Sequence, residues 1–370
     1  MRLTRKKPLG EGEKTMSLRF EREFQILIQA YRSGMLGIVS NIERMTRAGN
    51  STRHARAALN EIQGILQELD GFADTWIEQN IPAAYQVGWD DAFMNQFHKA
   101  PDSFGENIKY ADFARINRQA VEAVAYNLRD ALRGATQLVG RQVDDVFRHV
   151  GLMATQQRLI TGEAIAKTTA NMKEEFVSRG ITGFRDKLNR NWNLDSYCEM
   201  VARTTTREAT TLGTTTRLAA GGYDLVQISE HHPTCEKCSP LGGKVFSLSG
   251  ETAGYPRYNN YLPVHPNCIH ILMSYQAKFD SDPEGTKAFS NTSLTKDPRS
   301  DAEKRSYAAT QDKKRQEREL KEQYKRYVAR LGQGEVGSLQ GFVRSKKADS
   351  DRWYDIQQMY RDAGRELKMG

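Results

Sequence analysis

The sequence predicts a mainly α protein with three parts: an elongated helical scaffold, a small β-containing module rich in cysteine and histidine, and a charged helical C-terminal tail. Three observations predict it. Apolar residues recur at steps of three and four through most of the first 160 residues. Three of the four cysteines fall, with two histidines, in the 36 residues from Cys235 to His270. From Lys296 onward the chain interleaves 19 Lys/Arg with 13 Asp/Glu and offers few apolar positions.

Composition narrows the class further. At 370 residues the chain is long enough for two or three domains. Its 15 Tyr, 14 Phe and 4 Trp argue against general disorder despite a mean hydropathy of −0.68. No apolar run approaches the ~18 residues a membrane-spanning helix needs, so no membrane association is expected. The basic start Met1–Lys7 runs into Pro8 and Gly10 without an apolar stretch, which speaks against a secretory signal. Four cysteines are too few for a disulfide scaffold and suit a metal site in a reducing compartment. The net charge of +8 is concentrated in the tail, where a solvated, ion-paired helix competes with a contact to nucleic acid or an acidic protein.

The elements can be taken in chain order. Residues 1–15 are expected to be a flexible arm, and residues 16–160 the helical scaffold. Its first helix carries the stripe Phe20, Phe24, Leu27, Ile28, Tyr31, Met35, Ile38, Ile42 and Met45 and breaks at Gly49-Asn50-Ser51. A second helix carries Leu59, Ile62, Leu66, Leu69, Phe72, Trp76 and Ile77. Pro82 then opens a third, through Tyr85, Trp89 and Phe93. After a loop at Pro101, helical spacing resumes from about Ala111 to Leu159. Such stripes are core, and no chemistry is visible in them.

Residues 161–222 form a helical region leading into the module. One helix from Thr161 stops near Gly180. A second starts at the capping box Ser196-x-x-Glu199 and runs through two Thr-Thr-Thr runs to Gly221-Gly222. Cys198 inside it is expected to be a buried apolar residue. Asp224–Ser229 alternates at period two and predicts a strand. Residues 223–276 are the module, 277–300 a polar linker with Pro283, Gly285 and Pro298, and 301–370 the tail. The string Gly332-x-Gly334-x-x-Gly337 comes after a helix rather than a strand, so it is a hinge and not a dinucleotide site.

The chemistry concentrates in Cys235-x-x-Cys238 and His265-Pro266-Asn267-Cys268-Ile269-His270. A Cys-x-x-Cys turn aims two sulfurs at one ion, and a second knuckle must supply two more ligands to close a tetrahedral site. His265 and Cys268 have the matching spacing, and Cys268 with His270 is the alternative. Soft sulfur with imidazole selects Zn2+. The favoured set is Cys235, Cys238, Cys268 and His265, with His270 as substitute. Three thiolates and one imidazole leave no open position, so the zinc is structural and no residue is assigned as catalytic. Such a zinc-stapled module has little other core, and chelation is expected to unfold residues 225–275 while sparing the helices. Enzyme readings fare worse. No histidine has Glu two residues on, as zinc deaminases require, and Cys238 is followed by Ser239 rather than the His of a haem attachment site. His231 and His232 could serve a metal-assisted nuclease; the simpler reading packs them on the knuckle.

A wider pattern surrounds these residues. It comprises Trp192-x-Leu194-x-x-Tyr197-x-x-Met200-x-x-Arg203-Thr204-Thr205, Gly222-Tyr223-Asp224-Leu225-Val226, Cys235-x-x-Cys238, Gly243-Lys244-Val245-Phe246-Ser247 and His265-Pro266-Asn267-Cys268-Ile269-His270. This order resembles the bacteriophage minor capsid protein 2 family, related in the cysteine–histidine region to phage Mu F-like head morphogenesis proteins. The resemblance covers about residues 180–275, with a similar charged segment around Tyr307, Gln311, Arg315, Glu317 and Arg318. In the Mu F-like relatives the last knuckle position, His270 here, is often Cys. The resemblance implies a few-copy structural protein of the phage head, made in the host cytoplasm. It implies binding to the portal protein inside the capsid and a part in head assembly or DNA delivery. The basic tail could meet packaged DNA, and the helical stripes could serve self-association. The alternative is a metal-assisted nuclease or head-delivered toxin built on the same module. The tail's lack of His and Cys counts against a fused toxin.

Overall fold

The computed structural model describes residues 11–47, 52–92, 110–157, 183–185, 191–266 and 268–369. Among these the elements are α1 (Glu11–Arg47), α2 (Thr52–Asp91), α3 (Tyr110–Gln157), β1 (Gly183–Arg185), β2 (Asn191–Asn193) and α4 (Leu194–Ala220). Next come β3 (Leu225–Ile228), β4 (Val245–Ser247), β5 (Leu272–Ser274) and α5 (Pro283–Ser290). The tail holds α6 (Asp301–Leu331), α7 (Gln333–Val336), α8 (Leu339–Lys347) and α9 (Asp351–Met369). The mainly helical class is as the periodicity predicts. The loop at Pro101 and the helix from Thr161 to Gly180 lie outside the described residues.

The chain divides into two compact units that are discontinuous in sequence. One gathers Met1–Ile28, Phe72–Leu132 and Cys198–Ala308; the other gathers Gln29–Gly71, Arg133–Tyr197 and Ala309–Gly370. Each of the three long helices contributes to both. In the first unit Phe20, Phe24, Leu27, Trp76, Ile77, Ile81, Leu128 and Leu132 are buried. Trp76 donates its indole N–H to the Glu23 carbonyl at 2.9 Å, and its ring sits 5.9 Å from that of Phe24. In the second, Tyr31, Ile38, Ile62, Leu66, Leu69, Val139 and Val143 are buried.

Four local expectations are corrected. Helix α1 already begins at Glu11, inside the segment expected as an arm. Pro82 does not open a new helix but lies within α2. An interior proline costs ~3 kcal/mol, but Pro82 is exposed while its neighbours Ile81, Ala84 and Tyr85 are buried, so tertiary burial carries the helix through. Phe72, assigned to the buried stripe, is instead exposed, and Ala73 takes the buried position. Helix α4 begins at Leu194, ahead of the Ser196–Glu199 box; Asp195 occupies its first turn, and Glu199 pairs with Arg203 at 3.2 Å.

The threonine runs of α4 have a packing reason. A Cβ placed on Gly213 would lie 2.1 Å from the Tyr85 carbonyl oxygen, and one on Gly88 would lie 1.9 Å from that of Thr210. Helices α2 and α4 therefore meet backbone to backbone. Thr214 donates to the Gly88 carbonyl at 3.0 Å across this crossing, and Thr210 back-bonds to Thr206 at 2.8 Å. Small, half-polar side chains are what such close approach admits.

The tail is not simply a solvated helix. Tyr327, Val328, Val336, Phe342, Trp353 and Ile356 form a buried cluster, with Tyr360 stacked on Tyr327 at 4.1 Å. Helix α8, absent from the sequence reading, supplies Phe342 to it and starts at the Ser338 cap. The segment read as a polar linker is also ordered. Helix α5 is capped by Asp282, and buried Ser290 accepts the Val245 N–H at the edge of β4.

In the second unit, buried Asp195 accepts from Arg32 Nε at 3.2 Å and from Lys325 Nζ at 3.2 Å. Burial raises its carboxyl pKa, but Lys325 and Arg32 outweigh this and hold it below the ordinary carboxylate range. Its stabilising contribution is therefore full above about pH 4 and lost as the pH falls through the depressed folded value. Asp195→Asn is expected to cost about 1–3 kcal/mol at pH 7 and less at pH 3, read from urea midpoints at the two pH values. Gly213→Ala is expected to cost at least ~1–3 kcal/mol by thermal or urea denaturation. Gly64→Ala, whose Cβ meets nothing within 4 Å, is expected to be neutral or to stabilise by up to ~1 kcal/mol.

Candidate metal centre

Antiparallel pairing puts both knuckles at one end of a three-stranded sheet ordered β4-β3-β5. Val226 faces Phe246 on one side and Ser274 on the other. The first knuckle lies just past the end of β3, and the second precedes the start of β5. Beyond β3, buried Ser229 ties the two approaches together: its Oγ accepts the Ile271 N–H at 3.0 Å and lies 2.8 Å from His231 Nε2. The Cys235–Cys238 turn closes through Ser239 N–H to the Cys235 carbonyl at 3.0 Å and Leu241 N–H to the Cys238 carbonyl at 3.0 Å. Gly243 then turns the chain into β4 at φ +77°, where a side chain would be strained and would meet the Glu230 carboxylate. The second knuckle closes through Cys268 N–H to the His265 carbonyl at 3.0 Å.

The folded chain brings all five predicted ligands together, in two groups that share Cys238: Cys235, Cys238 and His265, and Cys238, Cys268 and His270. His265 Nε2 lies 3.2 Å from Cys235 Sγ and 3.1 Å from Cys238 Sγ. Cys238 Sγ is 3.9 Å from Cys268 Sγ, which is 3.7 Å from His270 Nδ1. Ligands around one tetrahedral ion, at ~2.3 Å for sulfur and ~2.0 Å for nitrogen, stand roughly 3.5–3.8 Å apart. The Cys238–Cys268 and Cys268–His270 separations lie close to this, the two to His265 are shorter, and each group of three is compact enough to hold a cation. His265 Nδ1 faces the Pro266 carbonyl at 2.7 Å. A proton donated there leaves the Nε2 lone pair aimed at the sulfurs.

Electrostatics point the same way. The hydrogen bond from Cys238, reinforced by His270 and by the backbone of Val264 and His270, holds the Cys268 thiol far below its ordinary range. The same bond, with burial, pushes the Cys238 thiol up. A buried pair of sulfurs sharing one proton is where a metal ion can take the proton's place. The module also has more core than expected. Val226, Ile228, Leu241, Phe246, Tyr258, Leu262 and Leu272 bury together with Cys238 and Cys268, and Ala92 and Leu218 from the helices join them.

The two further histidines part company. His231 packs edge-on against His270 at 4.8 Å, and burial, His270 and Arg207 push its pKa down to about 4. His232 is exposed and lies 3.4 Å from Glu303 Oε1. Cys198 is buried in α4, as expected. Sequence reasoning assigned no role to three residues that shape the module. Asp224 accepts from Ser247 Oγ, Thr252 Oγ1 and Ser249 N–H, which hold its pKa near 2 against the upward push of burial. Lys244, 1% exposed, donates its ammonium to the carbonyls of Thr292 and Ser293. Arg299 donates to the Thr234 carbonyl beside the first cysteine. The hydroxyl-rich stretch Ser247–Thr252 is the signal for the first, but all three sets of contacts join residues distant in sequence.

The same residues lie inside a wider match. The family model for phage minor capsid protein 2 matches residues 27–354, from within α1 to within α9. The chain belongs to that family. It is therefore a phage minor capsid protein, a component of the virion, and the kinship reaches well beyond the stretch around residues 180–275 that carries the sequence resemblance. No curated protein and no solved structure matches the chain. Among the described residues of this minor capsid protein, no helix is long and apolar enough to cross a membrane.

Cys238 belongs to both ligand groups. Cys238→Ser is therefore expected to weaken metal uptake more than Cys235→Ser or His270→Ala, with chelator competition on the three full-length variants giving the order.

Proposed function

We propose that this protein is a structural component of the phage head, bound near the portal on the capsid interior and assisting head morphogenesis or DNA delivery. A structural Zn2+ holds its module, and the protein performs no catalysis. The family match over residues 27–354 carries this reading. The zinc assignment is supported by the donor set: three soft sulfurs with imidazole, gathered in two groups that share buried Cys238. Cys235, Cys238, Cys268 and His265 are the proposed ligands. His265 Nε2 stands 3.2 and 3.1 Å from two sulfurs with its other ring nitrogen engaged, whereas His270 Nδ1 lies 3.7 Å from Cys268 and within 4.8 Å of Cys238, and its ring also packs on His231. His270 remains the substitute position. The divergence of His231 and His232 argues against a paired base in the nuclease alternative.

The tail supports a charged contact. Lys313, Lys314, Arg315 and Arg318 are exposed on α6, but Arg315 is shared between Asp312 at 3.1 Å and Glu319 at 3.8 Å. Helix α8 carries Arg344, Lys346 and Lys347 and no acidic residue. Packaged DNA and an acidic portal surface both suit such a face. Duplex binding that weakens steeply between 50 and 200 mM salt, on the order of ten-fold or more for a few phosphate contacts, would favour DNA; salt-insensitive or absent binding would favour protein.

The deciding experiment is peptide mass spectrometry of density-purified particles, quantified against portal and major capsid proteins. A few copies per filled particle are expected, with about one zinc per copy in the purified protein. Recovery only in the unassembled fraction would overturn the head reading. Plasmid cleavage lost in a His231→Ala/His232→Ala variant would revive the nuclease.

A further inference from the structure

The stretch between the module and α6 converges on the first knuckle. The Arg299 side chain, 9% exposed, forks onto Asp297: Nε lies 2.9 and 3.2 Å from the two carboxylate oxygens, and Nη2 lies 2.8 Å from Oδ2. Its Nη1 donates at 2.9 Å to the Thr234 carbonyl, immediately before Cys235. Asp297 Oδ1 also accepts at 3.0 Å from the hydroxyl of Ser239, immediately after Cys238. One charged pair thus grips both flanks of the Cys-x-x-Cys turn.

The grip extends into α6. Glu303 Oε2 accepts from the backbone N–H and the hydroxyl of Ser300, both at 2.8 Å, and caps the helix; its Oε1 faces His232. Tyr307 places its ring 5.5 Å from the Arg299 guanidinium. On the other side, Lys244 and the Val245 N–H hold residues 290–293 to the edge of β4. Residues 290–303 therefore form a strap, fixed at one end to the sheet and at the other to the turn that carries Cys235 and Cys238.

This arrangement suits a metal's outer shell. Asp297 holds the guanidinium in a fixed fork, and the N–H left over is aimed at the carbonyl before Cys235, so the pair fixes the shape of the turn. Outer-shell groups that orient a ligating turn set affinity without touching the ion. We propose that Asp297 and Arg299 are positioning residues of the metal centre, holding the first knuckle in its ligating shape, and that docking of residues 291–303 depends on the bound metal. The proposal rests on the zinc reading above.

The test uses the full-length chain with Zn2+ itself. Competition with a chromophoric chelator gives affinity, and hydrogen–deuterium exchange gives docking. Arg299→Ala is expected to weaken zinc binding about 10–100-fold with helical circular dichroism unchanged. Arg299→Lys, which keeps the charge and loses the fork, is expected to fall between it and the native chain. Stripping zinc from the native chain should raise exchange in residues 291–303 together with residues 232–242. If Arg299→Ala does not fold, Asp297→Asn, which leaves the bond to Thr234, is expected to show a smaller loss of affinity. Native zinc affinity in the folded variants, or exchange in 291–303 unmoved by metal removal, overturns the proposal alone. A native chain that takes up no zinc overturns the metal reading with it.

Discussion

The register of β3 is the constraint on which the module depends. It pairs antiparallel on both sides, Gln227 opposite Val245 and Met273, so the chain leaving β3 and the chain entering β5 lie at one end of the sheet. The two knuckles, with 26 residues between Cys238 and His265, meet because of this. At the other end Asp224 clamps the turn after β4 through three hydrogen bonds. A one-residue slip would turn Val226 and Ile228, both fully buried, out of the core and part the ligand groups. A bound ion and the hydrophobic cluster therefore favour the same register.

The module is also larger than its ligands. Its core includes Ala92 and Leu218, its edge strand is engaged by Ser290, and its first knuckle is gripped by Asp297 and Arg299. The chain beyond β5 is part of the folded body rather than a spacer. For a minor capsid protein this joins the candidate metal centre to the helix that begins the charged tail, within a single compact unit that extends to Ala308. A structural role gains from such coupling, because the knuckle, the strap and the start of α6 then order together.

The scaffold shows a different economy. Where α2 and α4 cross, Gly88 and Gly213 let backbones touch, and threonines satisfy the polar atoms that larger side chains would have covered. The C-terminal helices take the opposite route, filling space with stacked aromatics: Tyr327, Phe342, Trp353 and Tyr360. Both modes hold helices of low mean hydropathy, through close approach in one unit and through ring area in the other.

Residue order alone was enough for the mainly helical class, the long apolar stripes, the strand after Asp224 and the gathering of five cysteines and histidines in one module. Each is written in local spacing, and local spacing fixes which face of a helix is buried or which residues share a turn. It also carried the family resemblance, because the knuckles and the residues around them are contiguous. Folding in three dimensions was needed to settle that α2 runs through Pro82, that Phe342 and Trp353 join one core, that Lys244 is buried on backbone carbonyls, and that Arg299 reaches Thr234. These outcomes depend on partners tens of residues away. An exposed proline survives because its neighbours are buried, and a charged side chain can be buried because distant carbonyls or a carboxylate receive it.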